Sequence, residues 1–320
     1  MKKECSFLRW SFCLSVLCAF LAGCETMSGV NVGTGLSLPG GVSIGANKTI
    51  SGSGESARSR ADKKQQAKLR LYVFDCGSLY FDDISAFGLS QQDTAVRNLF
   101  VPCYLVEHAN GRLLWDAGLS TRIVGQGKQD MGNGVYQDYH KSLLTQLATL
   151  KLRPSDIDFV AFSHMHYDHV GGANYFAGAT LLIQETEYEA AFKAYANYPI
   201  FDYTLYQDLA ASTKVLLSGD YDVFGDGSVK IISTPGHTPG HQALFIDLEA
   251  YGPLVLSGDL YHFEASRRLR AVPEFNTNAA QTLASMDRLE RMVTANQATL
   301  WIQHNRALAK TLRLAPGFYD

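Results

Sequence analysis

The sequence predicts one α/β domain over residues 68–320, behind a short apolar leader and a flexible tether. Three observations point that way. Strand-length apolar segments outnumber helical stripes, and the two kinds are interspersed along the chain. Four of the strand-length segments run straight into histidine or aspartate. No second linker and no short-period repeat divides the stretch.

The leader comes first. Lys2, Lys3 and Arg9 give a positive start, and an apolar run from Trp10 to Ala22 follows. That run is short for a membrane span, which needs about 20 apolar residues, and fits a signal-peptide core. Residues 25–67 are rich in Gly and Ser and hold no aromatic residue, the composition of a flexible tether. The whole chain is 46% hydrophobic and 18% charged over 320 residues, which suits a soluble globular protein with a sizeable core. A formal charge of −3, with no basic run interleaved with aromatics, argues against a nucleic-acid partner.

From Leu69 the elements follow in order. "LRLYVF", "PCYLVEH" and "RLLWDAG" read as strands. Asp138 to Leu150 carries Leu143, Leu144, Leu147 and Leu150, a helical stripe. "DFVAFS" and "ATLLIQ" are short strands. Glu185 to Ala196 is predicted helical, with Tyr188, Phe192 and Tyr195 on one face. "KVLL", "VKIIST", "QALFIDL" and "PLVLSG" are further strands. Asn278 to Ala295 is a helix with Leu283, Met286, Leu289 and Val293 inward, and "ATLWIQH" closes the series as a strand. Cys76 and Cys103 both sit in apolar strands and read as small buried residues. A single Cys76–Cys103 bridge is the alternative in an oxidising envelope.

The chemistry is concentrated in "AFSHMHYDHVGG", Ala161 to Gly172. Three of the nine histidines stand there, His164, His166 and His169, with Asp168 among them. A strand that ends in a loop gives metal ligands a rigid base and freedom to converge. His-x-His can aim two imidazoles at one ion, and Asp168 with His169 can reach a second. Four ligands are too few for two ions. The other strand ends supply more: His237 after "KIIS", Asp259 at the end of "LVLSGD", and His304 at the end of "LWIQH".

With these residues in place, the chain resembles the dinuclear metallo-β-lactamase superfamily, and within it most closely the N-acyl homoserine lactone lactonases. The resemblance includes "PCYLVE", "LLWDAG", "QETEYEAAF" and "TPGHTPGHQALFI". It implies an αββα sandwich with a dimetal site at one edge of the two sheets. His164, His166 and His237 would bind one ion, and Asp168, His169 and His304 the other, with Asp259 bridging. Asp116 would support them from behind. The donor set suits Zn²⁺, and also Co²⁺, Mn²⁺ or Fe²⁺. The implied reaction is opening of a lactone ring by a metal-bridging hydroxide, with Asp168 or Asp259 as candidate proton shuttles. The start of the chain resembles a bacterial lipoprotein as well. "LAGC", Leu21 to Cys24, matches the lipobox, which implies cleavage after residue 23 and a lipidated Cys24. Glu25 then favours the outer membrane, with the domain facing the periplasm or exterior.

Two departures stand out. The lactonases commonly carry a tyrosine three residues after the bridging aspartate, where this chain has His262, preceded by Tyr261. Either side chain is a candidate hydrogen-bond donor to substrate. Asn305 stands where an aspartate often follows the last histidine. Aromatics between Tyr188 and Tyr206 either line an acyl pocket or pack a core. His241 reads as structural. The competing functions are another hydrolase of the same fold, acting on other lactones, esters or thioesters, and a non-catalytic envelope lipoprotein. The oligomeric state is open, a homodimer included.

Overall fold

The computed structural model describes residues 68–198 and 200–320. The leader, Cys24 and the tether lie outside the described residues. Among the described residues, thirteen strands build two sheets. The first half of the chain supplies β1 (Arg70–Phe81), β2 (Asn98–His108), β3 (Gly111–Trp115), β4 (Gln129–Gly132), β5 (Val135–Asp138), β6 (Phe159–Ala161), β7 (Thr180–Gln184) and β8 (Lys214–Leu217). They form one sheet in the order β4-β5-β1-β2-β3-β6-β7-β8. The second half supplies β9 (Tyr221–Asp222), β10 (Val229–Ser233), β11 (Gln242–Leu248), β12 (Gly252–Leu256) and β13 (Thr299–Trp301). Their order is β13-β12-β11-β10-β9.

Strand alternation explains how the sheets stack. Successive side chains point to opposite faces. Leu113 and Trp115 of β3 share a buried cluster with Ile231, Leu244, Ile246 and Leu256 of the second sheet, the core between the sheets. Leu114, between them in sequence, points the other way and packs with Leu143 and Leu147. On the far side of the second sheet, Ala243, Phe245 and Val255 meet Met286, Leu289 and Val293. Those partners lie on α1 (Leu143–Thr149) and α5 (Ala279–Ala295). The four layers are the predicted αββα sandwich.

Several predicted elements shift at their edges. Asp138 belongs to β5, and α1 starts only at Leu143, where Ser142 Oγ accepts the Thr145 N–H at 3.1 Å. The β4–β5 hairpin, "QDMGNGVYQD", escapes the pattern because its residues are polar or half-buried, with no apolar face. The long helix over 185–196 is interrupted. An α-turn, α3 (Glu185–Tyr188), passes into a π-turn at Glu189–Lys193. The Ala194 N–H reaches back five residues to the Glu189 carbonyl, while the Tyr206 hydroxyl donates to the Ala191 carbonyl at 3.1 Å. In α5 the Asn278 side chain caps the first turn, and Leu283 is half-buried beside its fully buried neighbours. Cys76 and Cys103 are joined in a disulfide with a Cα separation of 5.8 Å, which corrects the reading of two free buried thiols. Antiparallel pairing of β1 with β2 sets this proximity.

Candidate metal centre

β3, β6 and β7 run parallel, as do β12 and β13, so their carboxyl ends gather at one edge of the sandwich. Asp116 follows β3 and the His164–His169 loop follows β6. His237 follows β10, Asp259 follows β12 and His304 follows β13. Asp168 and His169 ride on α2 (Tyr167–Val170), a single turn. All seven predicted ligand residues are buried and meet in two adjoining groups.

In the first group, His237 Nε2 lies 3.1 Å from both His164 Nε2 and His166 Nδ1. Asp259 Oδ2 approaches the same point, 3.4 Å from His237 Nε2 and 3.7 Å from His164 Nε2. In the second group, Asp168 Oδ2 lies 3.5 Å from His169 Nε2 and 3.6 Å from His304 Nε2. Asp259 Oδ1 closes it, 2.9 Å from His304 Nε2 and 3.4 Å from His169 Nε2. One carboxylate therefore serves both groups, one oxygen each.

The opposite nitrogens of the rings are held from behind. His237 Nδ1 donates to Asn276 Oδ1 at 2.8 Å, and His304 Nδ1 donates to the Phe100 carbonyl at 2.7 Å. His169 Nδ1 donates to Asp116 Oδ2 at 3.0 Å. Each bond fixes a proton on Nδ1 and leaves Nε2 as the ring atom aimed into the site. Asp116 has a positive φ of 59°, a strained backbone that suits Asp better than most residues. It also accepts the Ser163 N–H at 2.6 Å, the Ser163 hydroxyl at 3.0 Å and the Gln303 amide.

His241 supports the bridging aspartate. Its Nδ1 faces the Thr234 carbonyl at 3.1 Å, so its Nε2 is an acceptor, and the Asp259 N–H donates to it at 2.9 Å. Gly258 permits this approach, since a Cβ there would fall 2.6 Å from His241 Nε2. The expectation that His241 is structural agrees with this placement.

Burial dominates the protonation of the first group. It holds His164 and His166 well below the usual imidazole range, reinforced by neighbouring rings, and brings His237 down to about 4. Burial likewise brings His241 to about 3. In the second group burial acts against the charged forms, but Asp168, Asp259 and Asp116 outweigh it and raise His169. Asp259 and Asp168 do the same for His304. The facing imidazoles lower both Asp168 and Asp259. Neutral first-group histidines and ionised carboxylates are the forms that ligate metals.

The donor set fits a pair of divalent cations. The His237 Nε2 lone pair faces those of His164 Nε2 and His166 Nδ1 at 3.1 Å, and such lone pairs repel unless a cation or proton stands between them. His169 Nε2 and Asp259 Oδ1 are buried with no hydrogen-bond partner, and such atoms are rare without a ligand to satisfy them.

An apolar cleft of about 400 Å³ opens onto the second group. Asp168, Asp259, His262 and His304 line its polar side, and Leu79, Phe81, Phe87, Leu99 and Phe275 its apolar wall. His262 Nε2 lies 3.0 Å from Asp259 Oδ2, so this candidate reaches the site. Tyr261 does not. Strand-like backbone at Tyr261 turns its side chain to the other face, where its hydroxyl donates to Glu290 at 3.0 Å. The aromatics after Tyr188 largely pack on one another. Tyr188 stacks on Phe192 at 4.6 Å and Tyr195 on Tyr203 at 4.7 Å. Of the described aromatics between Tyr188 and Tyr206, Phe201 lies against a ligand ring, His166, with centroids 5.5 Å apart. Asn305 caps α6 (Arg306–Ala309) through its side-chain oxygen, accepting the Ala307 N–H at 2.9 Å.

Sequence reasoning missed Ser163, Gln303 and Glu187. Ser163 and Gln303 each precede a ligand, which is a usable signal. Phe87 and Phe275 carried none, because they lie far along the chain from every ligand.

Residues 96–304 match the Metallo-beta-lactamase superfamily. The chain is 30% identical over 264 residues to the N-acyl homoserine lactonase AttM of Rhizobium radiobacter, covering 78% of this chain and 98% of that one. It is 27% identical over 259 residues to the N-acyl homoserine lactonase AiiA of Bacillus thuringiensis subsp. kurstaki, with 78% and 98% covered. A similar solved structure is an N-acyl homoserine lactone hydrolase with the product N-hexanoyl-L-homoserine bound at its catalytic metal center. It superposes with a TM-score of 0.68 at 26% identity, over 79% of this chain and 99% of that one.

Proposed function

Because the chain belongs to the metallo-beta-lactamase superfamily, we propose that it is a metal-dependent hydrolase that opens the lactone ring of N-acyl homoserine lactones. The observation that carries this reading is the pair of His/Asp groups sharing Asp259 beside an apolar cleft. The relatives named as lactonases support the choice of substrate. A bound pair of divalent cations, with Zn²⁺ the reading that suits the donors, supplies a water of lowered pKa and polarises a carbonyl.

The chain's own residues do the rest. His164, His166 and His237 would hold one cation, and Asp168, His169 and His304 the other, with Asp259 shared. Asp116 and His241 hold ligands in place from behind. The apolar wall suits an acyl chain and excludes bulk water. In the overall reaction water adds to the lactone carbonyl, the ring C–O bond breaks, and the ring oxygen leaves as an alcohol. His262 stands at the cleft and contacts Asp259, which supports a role for it in contacting the reacting ester. Asp168 and Asp259 are the candidates for moving the proton.

His262 also favours a second reading, hydrolysis of another lactone, ester or thioester, since the lactonases commonly have tyrosine there. The start of the sequence further supports lipidation of Cys24 and an envelope location. The test is turnover of a panel of short- and long-chain acyl-homoserine lactones, esters and thioesters by purified protein with quantified metal. Metal-dependent ring opening that His237→Ala abolishes is expected. Turnover of esters or thioesters alone would support the second reading, and no metal-dependent turnover of any lactone would refute the first.

A further inference from the structure

Glu187 is a carboxylate with no task in the chemistry described so far. It stands in the first turn of α3, immediately beyond β7, and is only 1% exposed. Its two oxygens face in different directions. Oε1 accepts the Met165 N–H at 2.9 Å, and Oε2 accepts the Gly240 N–H at 2.8 Å. Met165 lies between His164 and His166. Gly240 closes the loop that begins at His237. One side chain therefore ties together the two backbone segments that carry all three histidines of the first group. None of its hydrogen bonds reaches the second group.

The surroundings are built for this contact. A Cβ on Gly240 would fall 2.5 Å from both the backbone nitrogen and Cβ of Glu187, so only glycine lets the loop come this close. Thr186, one residue earlier, donates to the Pro239 carbonyl at 3.0 Å and adds a neutral tie to the same loop. Among the described residues no lysine or arginine compensates Glu187. A buried carboxylate without a cationic partner is costly. Burial pushes its carboxyl up to about 7 in the metal-free protein, and a cation held by the histidines of the two segments it joins would favour the charged form.

We propose that Glu187 is a positioning residue for the first metal group: it sets the spacing of His164 and His166 against His237 and offsets part of the charge of the cation they hold. Glutamine has the same shape but turns one acceptor into a donor that faces a backbone N–H. The second group keeps all of its contacts.

The inference rests on the reading of the site as a metal centre, and not on its substrate. It is tested by stepwise zinc titration against a chelator, on the full-length protein stripped of metal. His237→Ala identifies which binding step belongs to the first group. Glu187→Gln is expected to weaken that step by about 10- to 100-fold, the usual effect of removing a residue that supports a ligand, and to leave the other step within about twofold. Thr186→Ala, which loosens the same loop without touching the carboxylate, is expected to leave both steps near wild type. Equal weakening of both steps in Glu187→Gln, or none in either, would overturn the proposal. So would equal effects of the two substitutions on the first step. A wild-type protein that binds no zinc would instead overturn the metal-centre reading. If Glu187→Gln does not fold, amide exchange in the metal-free wild type decides. The Met165 and Gly240 N–H groups should both be protected, and free exchange of either refutes the clamp.

Discussion

Gly258→Ala should be disproportionately damaging for the addition of one methyl group. Gly258 precedes the shared Asp259 and has a φ of +53°, a left-handed backbone that costs an alanine about 1–2 kcal/mol. The new Cβ would also lie 2.6 Å from His241 Nε2 and 2.8 Å from Ser163 Cβ, where carbon contacts normally sit near about 3.5 Å. Neither neighbour can move freely. The His241 ring is fixed at both nitrogens, and the Ser163 N–H is bonded to Asp116. Overpacking of this kind costs about 1–3 kcal/mol, so the total is about 2–5 kcal/mol. In a domain of this size that corresponds to a fall of roughly 4–20 °C in Tm. A displaced Asp259 should also lower the metal content. Gly125→Ala is the control, because Gly125 has a φ of +74° and nothing within 4 Å of the added carbon. It carries the backbone cost alone. Thermal unfolding and metal quantification on both variants decide the matter. If Gly258→Ala loses no more stability than Gly125→Ala and keeps the wild-type metal content, the packing argument is wrong.

Two further outcomes follow from the same structure. The Cys76–Cys103 disulfide closes a loop of 27 residues, for which chain entropy gives about 3.5 kcal/mol; replacing both cysteines with serine should lower unfolding stability by about that much in guanidinium titrations, and a loss below about 1 kcal/mol would contradict the estimate. The metal-free protein should lose stability as pH falls from about 6.5 toward 4. His164, His166, His237 and His241 all have lowered folded-state values, so the unfolded chain takes up protons that the folded chain refuses, and each contributes about 1.4 kcal/mol per pH unit over that window. Urea midpoints that stay flat between pH 7 and pH 5 would show that these rings are not held neutral.

The ligand set was legible because each ligand follows an apolar strand, and parallel strands deliver their ends to one edge. Apolar runs and alternation located ten of the thirteen strands among the described residues, and the resemblance arranged them in two sheets. The hairpin of β4 and β5 had no apolar face to announce it, and two-residue β9 was too short to register. Tyr261 and His262 could not be separated in sequence because adjacent residues in extended backbone point to opposite sides, and nothing local says which side is the cleft. Glu187 was invisible as a clamp because its partners are backbone N–H groups, which leave no trace in residue type. The disulfide was undecided because apolar context equally suits a free thiol.

The direction of β1 has a practical consequence. Its far end supplies Leu79 and Phe81 to the cleft wall, while Arg70 begins the strand at the opposite edge of the sheet. The eleven steps between the first and last of its 12 residues, at about 3.3 Å each, separate the two ends by up to roughly 36 Å. Attachment at the Arg70 end of β1, on a resin bead or a lipid-coated support, would therefore leave the mouth of the cleft turned toward solution. A carrier made this way should retain the KM of the free protein for small substrates.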